Sequence, residues 1–323
     1  MVLKDTPTGK TGDGAMAPFF SVVIPVYNRA DTLDGALRSV LAQTEQDFEI
    51  IVVDDGSKDD PARVVESFHD SRIRFHRQIN RGGGAARNAG IDLARGRFTA
   101  FLDSDDVYLP GHLATMHELL EGTSRTVGYA RMVVDRGEGR TFLKPPRAIR
   151  PGEHMATYLL CDRGFVPTIT VVVETATARR VRYHENLRAA EDTDFAIRLF
   201  LDGCRFVMAE TAGAVWRDIP DPNRTSAGRK GGRMIPWLEE IRPQVPAKAY
   251  YGCRGWAIAK HVAMTNRLEA LRLYLAALLR GCYRPGLAGI IFLQIFLSDR
   301  TYRNMADQAI ARLGAGLRLA RAP

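Results

Sequence analysis

Residues Arg97–Pro110 read RFTAFLDSDDVYLP, and the rest of the chain makes most sense as support for this stretch. The largely apolar run Arg97–Leu102 has the length and flanks of a strand buried in a sheet. It ends in acid, with Asp103, Asp105 and Asp106 inside four consecutive positions. Pro110 follows at a place suited to the first turn of a helix. Three carboxylates this close repel one another, and the arrangement becomes favourable when a hard divalent cation, Mg2+ or Mn2+, neutralises them through oxygen ligands. Such a cation keeps coordination positions for substrate phosphates, so acid at a strand end predicts a metal holding a diphosphate. A solvated turn draws on the same residue types, and the neighbouring motifs decide between the two.

Upstream the pattern repeats. Phe19–Val26, FFSVVIPV, is a β-branched apolar run, and Asp31–Gln43 then carries Leu33, Leu37, Val40 and Leu41 at helical spacing. Pro25-Val26-Tyr27-Asn28-Arg29 lies between them, at the C-terminal end of the strand, where open α/β sheets place their ligands. Tyr27 is there either a rim aromatic or a platform for a base. Glu49–Val53 runs into Asp54-Asp55-Gly56-Ser57, again acid at a strand end, and a helix spans Asp60 to Phe68. Ile73–Arg77 is a shorter strand, and RGGGAARNAG, Arg81–Gly90, opens the next helix. Glycines at a helix start let the backbone approach a phosphate. No Lys-Ser/Thr follows, so this is no Walker A loop, and it does not follow the first strand as a dinucleotide fingerprint does. Alternation of strand and helix from Phe19 to about Gly122 predicts an α/β layer with a mostly parallel sheet. Right-handed crossovers then gather Tyr27, Asp54, Asp55 and Asp103–Asp106 on one rim.

A chain of 323 residues, 46% hydrophobic, is long enough for one large domain plus a smaller one. Cys161, Cys204, Cys253 and Cys282 are scattered without a C-x-x-C pair or nearby histidines. They indicate neither a zinc site nor a disulfide framework, and a reducing cytoplasm suits them. Met1–Pro18 lacks the apolar core of a signal peptide and reads as a flexible tail. The net charge of +8 favours anionic partners: phosphorylated substrates, anionic lipid or nucleic acid. No aromatic-basic stacking motif or helix-turn-helix signature supports the last, and no nucleic-acid partner is expected.

SVVIPVYNRADTLDGALRSVLAQTEQDFEIIVVDDGSKDD and GGGAARNAGIDLARGRFTAFLDSDD together closely resemble the family 2 glycosyltransferases, motif by motif from Phe19 to Pro110. The resemblance implies the GT-A fold, a Rossmann-like sheet flanked by helices, and a nucleoside-diphosphate sugar donor, with a UDP-sugar favoured. By position it implies nucleotide-sugar contacts from Pro25, Tyr27, Asn28, Asp54, Asp55, Arg87 and Asp103, with Asp55 facing a uracil-like imide. Arg87 is alternatively a brace for the acidic loops. Asp103 and Asp105 form the D-x-D that holds ribose and metal, and Asp106 is the substitute metal ligand.

Beyond Gly122 the resemblance thins. Val127–Val134 and Ile169–Val173 read as strands, and Asp135–Pro146 as a surface flap near the acceptor. AAEDTDFAIRLF, Ala189–Phe200, is an acidic helix start. Carboxylates there cap free N–H groups, yet the segment resembles the family's Glu-Asp motif, which implies Asp192 as catalytic base with Glu191 in reserve. Arg205–Met208 and Ala214–Trp216 read as short strands. Within Trp216–Ser226, Arg217, Thr225 and Ser226 match the family pattern, but the histidine that completes metal binding in many relatives is absent. The Q-x-x-R-W signature of processive synthases is absent too, which implies one sugar added per acceptor.

From Lys230 onward the chain is helical. Gly286–Leu297, GLAGIIFLQIFL, is too short for a bilayer of about 30 Å, which needs roughly 20 apolar residues. Flanked by Arg280, Arg284, Arg300 and Arg303, it reads either as a helix on an anionic membrane surface or as the core of a C-terminal subdomain. The expected organisation is a tail (1–18), a GT-A domain (19–226) with a nucleotide-sugar half (19–110) and an acceptor half (111–226), and a helical region (227–323). The expected activity is inverting, metal-dependent transfer of one sugar to a hydroxyl of a glycan or lipid-linked acceptor in surface-polysaccharide assembly, in the cytoplasm or on the inner membrane face. The competing reading is a non-catalytic nucleotide-sugar-binding scaffold of a membrane-associated complex.

Overall fold

The computed structural model describes residues 17–162, 164–187, 189–219, 230–298, 300–305 and 308. The expected tail, apart from its last two residues, and the matches at Thr225 and Ser226 lie outside the described residues. In chain order the first half is β1 (Phe20–Val26), α1 (Ala30–Leu41), β2 (Phe48–Asp54), α2 (Pro61–Glu66), β3 (Ile73–Arg77), α3 (Gly83–Leu93) and β4 (Phe98–Phe101). These four strands pair in parallel in the order β3-β2-β1-β4. β1, β2 and β4 are buried almost end to end, as parallel strands covered on both faces must be. Phe20, Val22 and Ile24 of β1 enter the core under α1, while Val23 enters the core on the other face. α1 fills its side with Leu33, Ala36, Leu37 and Val40, each large aliphatic there being worth about 1.5–3 kcal/mol of burial. α3 lies close against β1, since a Cβ at Gly90 would stand 2.3 Å from a Val23 methyl.

The second half is mixed. It runs β5 (Val107–Tyr108), α4 (His112–Leu120), β6 (Thr126–Asp135), β7 (Thr141–Lys144), α5 (Met155–Cys161), β8 (Val172–Glu174), α6 (Thr175–Val181), α7 (Glu191–Leu201) and β9 (Arg205–Arg217). The full sheet has the order β3-β2-β1-β4-β8-β6-β9-β5, with β7 added to β6. β8 is antiparallel to both its neighbours, β9 is parallel to β6, and β5 and β7 are antiparallel edges. The parallel character expected from the sequence therefore holds for the strands built by βα alternation and gives way beyond β4.

Local differences follow from the same pairing. The residues after the acidic cluster form β5 on β9 before any helix starts, so Pro110 lies in a turn and α4 begins at His112. The flap carries its own strand, β7, which closes a hairpin on β6. The two short strands expected between Arg205 and Trp216 are one β9, whose register against β6 shifts where Glu210, Thr211 and Gly213 of β9 are extra residues without a partner.

The C-terminal region contributes α8 (Lys230–Ile241), α9 (Ala247–Cys253), a π-helical turn (Arg254–Ile258), α10 (Ala259–Val262), α11 (Arg267–Leu279) and α12 (Pro285–Phe296), and residues 300–305 are helical as well. Trp237, Leu238 and Ile241 of α8 and Tyr250 of α9 share one core with β6, α5 and α7. Trp237 Nε1 also donates to the buried Asp194 at 2.9 Å. α11 and α12 make a separate small core from Ala270, Tyr274, Ala277, Leu287, Ala288, Ile291 and Ile295. The most hydrophobic run of the sequence thus buries one face against α11, while Phe292 and Leu293 stay exposed. Among the described residues no helix is long and apolar enough to cross a membrane.

Candidate active site

The C-terminal ends of β1, β2 and β4 open into a cleft of about 490 Å³ that extends to the start of α7. Pro25, Tyr27, Asp55, Arg87, Asp103, Asp105, Asp106, Glu191 and Asp192 all line it. Residues as far apart in sequence as Pro25 and Asp192 meet because parallel βα units deliver every strand end to the same edge. Tyr27 is 44% exposed at this edge, so its ring is available for stacking.

Two sequence candidates lie outside the lining and hold it in place. Asn28 Oδ1 accepts from Lys58 N at 2.8 Å and its own N–H donates to Ser57 Oγ at 2.9 Å, which ties the β1–α1 loop to the β2–α2 loop. This bonding suits its left-handed φ of 52°, a conformation that asparagine tolerates better than most residues. Asp54 is fully buried, accepts from Ser57 N at 2.8 Å and sits 3.3 Å from Arg77 Nε. Asp55, 3% exposed, accepts from Gln78 Nε2 (2.8 Å), Arg81 N (2.9 Å) and Gly82 N (2.7 Å). The glycine-rich start of α3 therefore spends backbone donors on this carboxylate, fixing its orientation toward the cleft.

The acidic cluster meets arginines. Arg87 Nη2 donates to Asp103 Oδ1 at 2.6 Å and Arg29 Nη1 to Asp105 Oδ2 at 2.8 Å. Asp106 is 2% exposed and accepts from Arg217 N at 3.0 Å, which anchors the end of β9 to the acidic loop. Burial works against the Arg87 charge, yet Asp103, with Tyr183, Asp192 and Glu191 behind it, keeps the guanidinium firmly protonated, above its ordinary range. Arg87 is thus the electrostatic link between the D-x-D carboxylates and the Glu-Asp pair. Burial, and after it the charge of Asp192, raises the Glu191 carboxyl above its ordinary 4.5. The pair stands in the first turn of α7, which Ala190 enters with a left-handed φ of 64°, a rare conformation for a residue with a Cβ.

Asp103 and Asp105 offer hard oxygen donors of the kind Mg2+ and Mn2+ take. Among the described residues no trio of His, Cys, Asp or Glu converges as a complete metal cage. These residues fit a cation that draws its remaining ligands from a bound diphosphate and water, as Mg2+ sites commonly do.

Sequence reasoning expected the flap containing Lys144 near the acceptor but named no residue of the opposite wall, where Met132, Lys144, Phe165, Ile169 and Trp216 line the cleft. No motif marks them. For Met132, Lys144 and Trp216 the signal is the alternation within β6, β7 and β9, and its meaning depends on pairings between segments far apart in the chain.

Carboxylates and an aromatic on the rim of a parallel βα sheet share one cleft with a second acidic pair at the start of α7, in an α/β protein. A sequence profile of glycosyl transferase family 2 matches residues 21–188, and the chain belongs to that family. It is 28% identical over 258 residues to the amylovoran biosynthesis glycosyltransferase AmsB of Erwinia amylovora, covering 77% of this chain and 86% of AmsB. Among solved structures it is similar to S. aureus TarS in complex with UDP-GlcNAc, with a TM-score of 0.58 at 18% identity over 90% of this chain and 92% of that one. It is also similar to a mannosyltransferase of Pyrobaculum calidifontis in complex with GDP-Man and Mn2+, with a TM-score of 0.55 at 15% identity over 98% and 92%. At these identities the two structures establish the shared fold, a GT-A-type mixed α/β sheet flanked by helices.

Proposed function

We propose that this glycosyltransferase moves a single hexose-type sugar, with inversion, from a nucleoside diphosphate to a hydroxyl of a glycan or lipid-linked acceptor in surface-polysaccharide assembly. The observation that carries the reading is the single cleft that unites the rim residues Pro25, Tyr27 and Asp55, the aspartates at 103, 105 and 106, and the Glu191-Asp192 pair. The relationship to an amylovoran glycosyltransferase supports the pathway class. The neighbours' ligands support a nucleotide-sugar donor, with a UDP-sugar favoured, and use of a divalent metal. The division into a nucleotide-sugar half, an acceptor half and a helical region is part of this reading.

In this mechanism Tyr27 and Pro25 pack against the base while Asp55, held by its three donors, accepts from its imide. Asp103 would contact ribose and, with Asp105, would hold Mg2+ or Mn2+, Asp106 serving in reserve. The metal, when bound, supplies positive charge to the departing diphosphate. Asp192 takes the proton of the acceptor hydroxyl as that oxygen attacks the anomeric carbon and the bond to phosphate breaks. Arg87 keeps Asp103 and the Glu-Asp pair in fixed relation. A single displacement inverts the anomeric centre, so no second carboxylate nucleophile is required.

Asp192→Asn is expected to lower turnover by about 10²- to 10⁴-fold with nucleotide affinity unchanged. Steady-state kinetics with a donor found by thermal-shift screening of nucleoside diphosphate sugars checks it, and wild-type turnover in the variant would move the base elsewhere.

Peripheral membrane contact belongs to the same proposal. Leu268, Leu275 and Leu279 are exposed on α11, Phe292 and Leu293 on α12, beside exposed Arg272, Arg280 and Arg284. Apolar side chains flanked by arginines suit the headgroup region of an anionic bilayer. The paired variant Leu268→Gln/Leu279→Gln should reduce co-sedimentation of the full chain with phosphatidylglycerol vesicles several-fold. Equal pelleting of wild type and variant removes the membrane contact.

A further inference from the structure

The wall of the cleft facing the donor side is built by strand register. Met132 of β6 stands opposite Lys144 of β7 and Ala214 of β9, and Val134 opposite Phe142 and Trp216. Directly opposed residues, and residues two apart on one strand, share a face. Lys144, Phe142 and Trp216 therefore project from the same side of the sheet. Phe165 joins them, and the Lys144 ammonium lies 6.0 Å from the Phe142 ring centroid, 5.5 Å from Phe165 and 5.4 Å from Trp216. Lys144, Phe165 and Trp216 line the same cleft as Asp192.

An ammonium among three aromatic rings is held by cation–π attraction, and a long side chain so held has already lost much of the rotamer freedom that binding would otherwise remove. The aromatic faces are apolar platforms of the kind on which a pyranose lays its C–H face. Sheet order says which substrate reaches this wall. The sites assigned to base and diphosphate lie at β1, β2 and β4, whereas β6 is two strands beyond β4 and three beyond β1. At about 4.8 Å per strand the middle of β6 lies roughly 14 Å past the base, while the end of β9 returns to the acidic loop, where Arg217 N donates to Asp106. The wall thus adjoins the assigned diphosphate site on the side away from the base and shares the cleft with Asp192, the residue assigned to the acceptor hydroxyl, so the acceptor is the substrate placed against it.

We propose that Lys144 and Trp216 form an acceptor subsite for a saccharide that carries an anionic group, phosphate or carboxylate. Trp216 takes the sugar face and Lys144 the charge. This rests on the cleft being the transferase site, but its test needs no turnover. Saturation-transfer NMR on the full chain compares methyl β-D-glucuronide, glucose 1-phosphate and neutral methyl β-D-glucoside, and calorimetry measures UDP with Mn2+ in parallel.

For wild type, at least one charged probe is expected to bind about tenfold more tightly than the neutral one, the worth of one charge-assisted hydrogen bond. The probe that shows the gain identifies the anion as carboxylate or phosphate. Lys144→Gln should erase the preference, Lys144→Arg should retain most of it, and Trp216→Ala should weaken all three probes. Thermal melts near wild type certify that the variants fold. Equal binding of charged and neutral probes by wild type overturns the proposal, as does a preference that survives Lys144→Gln. Loss of UDP affinity in Lys144→Gln overturns it too, by placing the ammonium on the donor diphosphate. Wild-type turnover in Asp192→Asn would overturn the catalytic reading while leaving this result standing.

Discussion

The two halves of the sheet solve the problem of buried polarity differently. In the parallel half two buried carboxylates, Asp55 and Glu49, are each held by three donors. Asp55 takes three hydrogen bonds, and Glu49 takes Ser21 Oγ (2.7 Å), Arg95 N (2.6 Å) and Arg74 Nη1 (2.9 Å). In the mixed half His112 is 2% exposed at the start of α4, and among the described residues neither ring nitrogen meets a hydrogen-bond partner. The parallel half is thus preorganised for a ligand of fixed shape, with its donors and acceptors set before anything binds. The mixed half is shaped more by packing, and its contribution to the cleft is an aromatic and aliphatic wall with one lysine. A nucleotide is the invariant part of a sugar donor and an acceptor the variable part, so the division matches the two demands.

The sharpest test of the preorganised half is at Asp105. If Asp105 ligates metal, its ion pair with Arg29 must exchange when metal and diphosphate arrive. Asp105→Ala should then cost about 10²-fold in the Mn2+-dependent part of nucleotide affinity, at least what losing a residue that supports a metal ligand costs. Arg29→Gln removes the competitor and should tighten binding of Mn2+ alone. Paramagnetic resonance of free Mn2+ reads the second and calorimetry of UDP the first. Metal-sensitive affinity that survives Asp105→Ala removes the ligand assignment.

The same contrast explains what the sequence disclosed. β1 to β4 are local βα units whose apolar runs and terminal acids lie within a few residues of one another, so strands, rim and most residues lining that side of the cleft could be read directly. Even there, only geometry separates Asp54 from Asp55: adjacent residues on a strand point to opposite faces, and one turned toward Arg77 while its neighbour lines the cleft. Asp192 was legible only through resemblance, because an acidic helix start looks the same whether it caps or catalyses. That Lys144 of the flap and Trp216 of β9 meet was not legible. They meet because β7 and β9 pair with opposite edges of β6, and such long-range pairing leaves no mark within any window of sequence.

His112 offers a break in the contrast of intermediate size. Burial pushes its imidazole down to about 3 from an ordinary 6.5, so it stays neutral in the folded chain across the range in which the unfolded chain takes up a proton. The unfolded state binds more protons as pH falls below 6.5, and folding stability is lost progressively from there toward 3. Between pH 7 and pH 5 this group alone should remove about 2 kcal/mol. Urea unfolding of wild type and His112→Gln at the two pH values checks it. The variant is expected to be less stable at pH 7 and to show a correspondingly shallower fall by pH 5, and an identical fall in both would show that another group carries the pH dependence.

The smallest effect is expected at Glu191, where the two halves meet. Its carboxyl is raised by burial and then by Asp192, against a smaller opposing pull from Arg87, so its ionised form is disfavoured in the folded chain. A carboxylate of this kind contributes most favourably below its unfolded value, where it is neutral in both states, and the penalty enters as pH rises through the raised folded value. Glu191→Gln keeps shape and hydrogen-bonding capacity while removing that penalty. It should melt about 1–3 °C above wild type at pH 7.5, and the gap should close as the pH is brought below 4.5. Turnover separates the two members of the pair: with Asp192 as base, Glu191→Gln keeps activity within about tenfold, less than the loss of a general base. A gain in melting temperature together with a collapse of activity would make Glu191 the proton acceptor, with Asp192 as the neighbour whose charge tunes it.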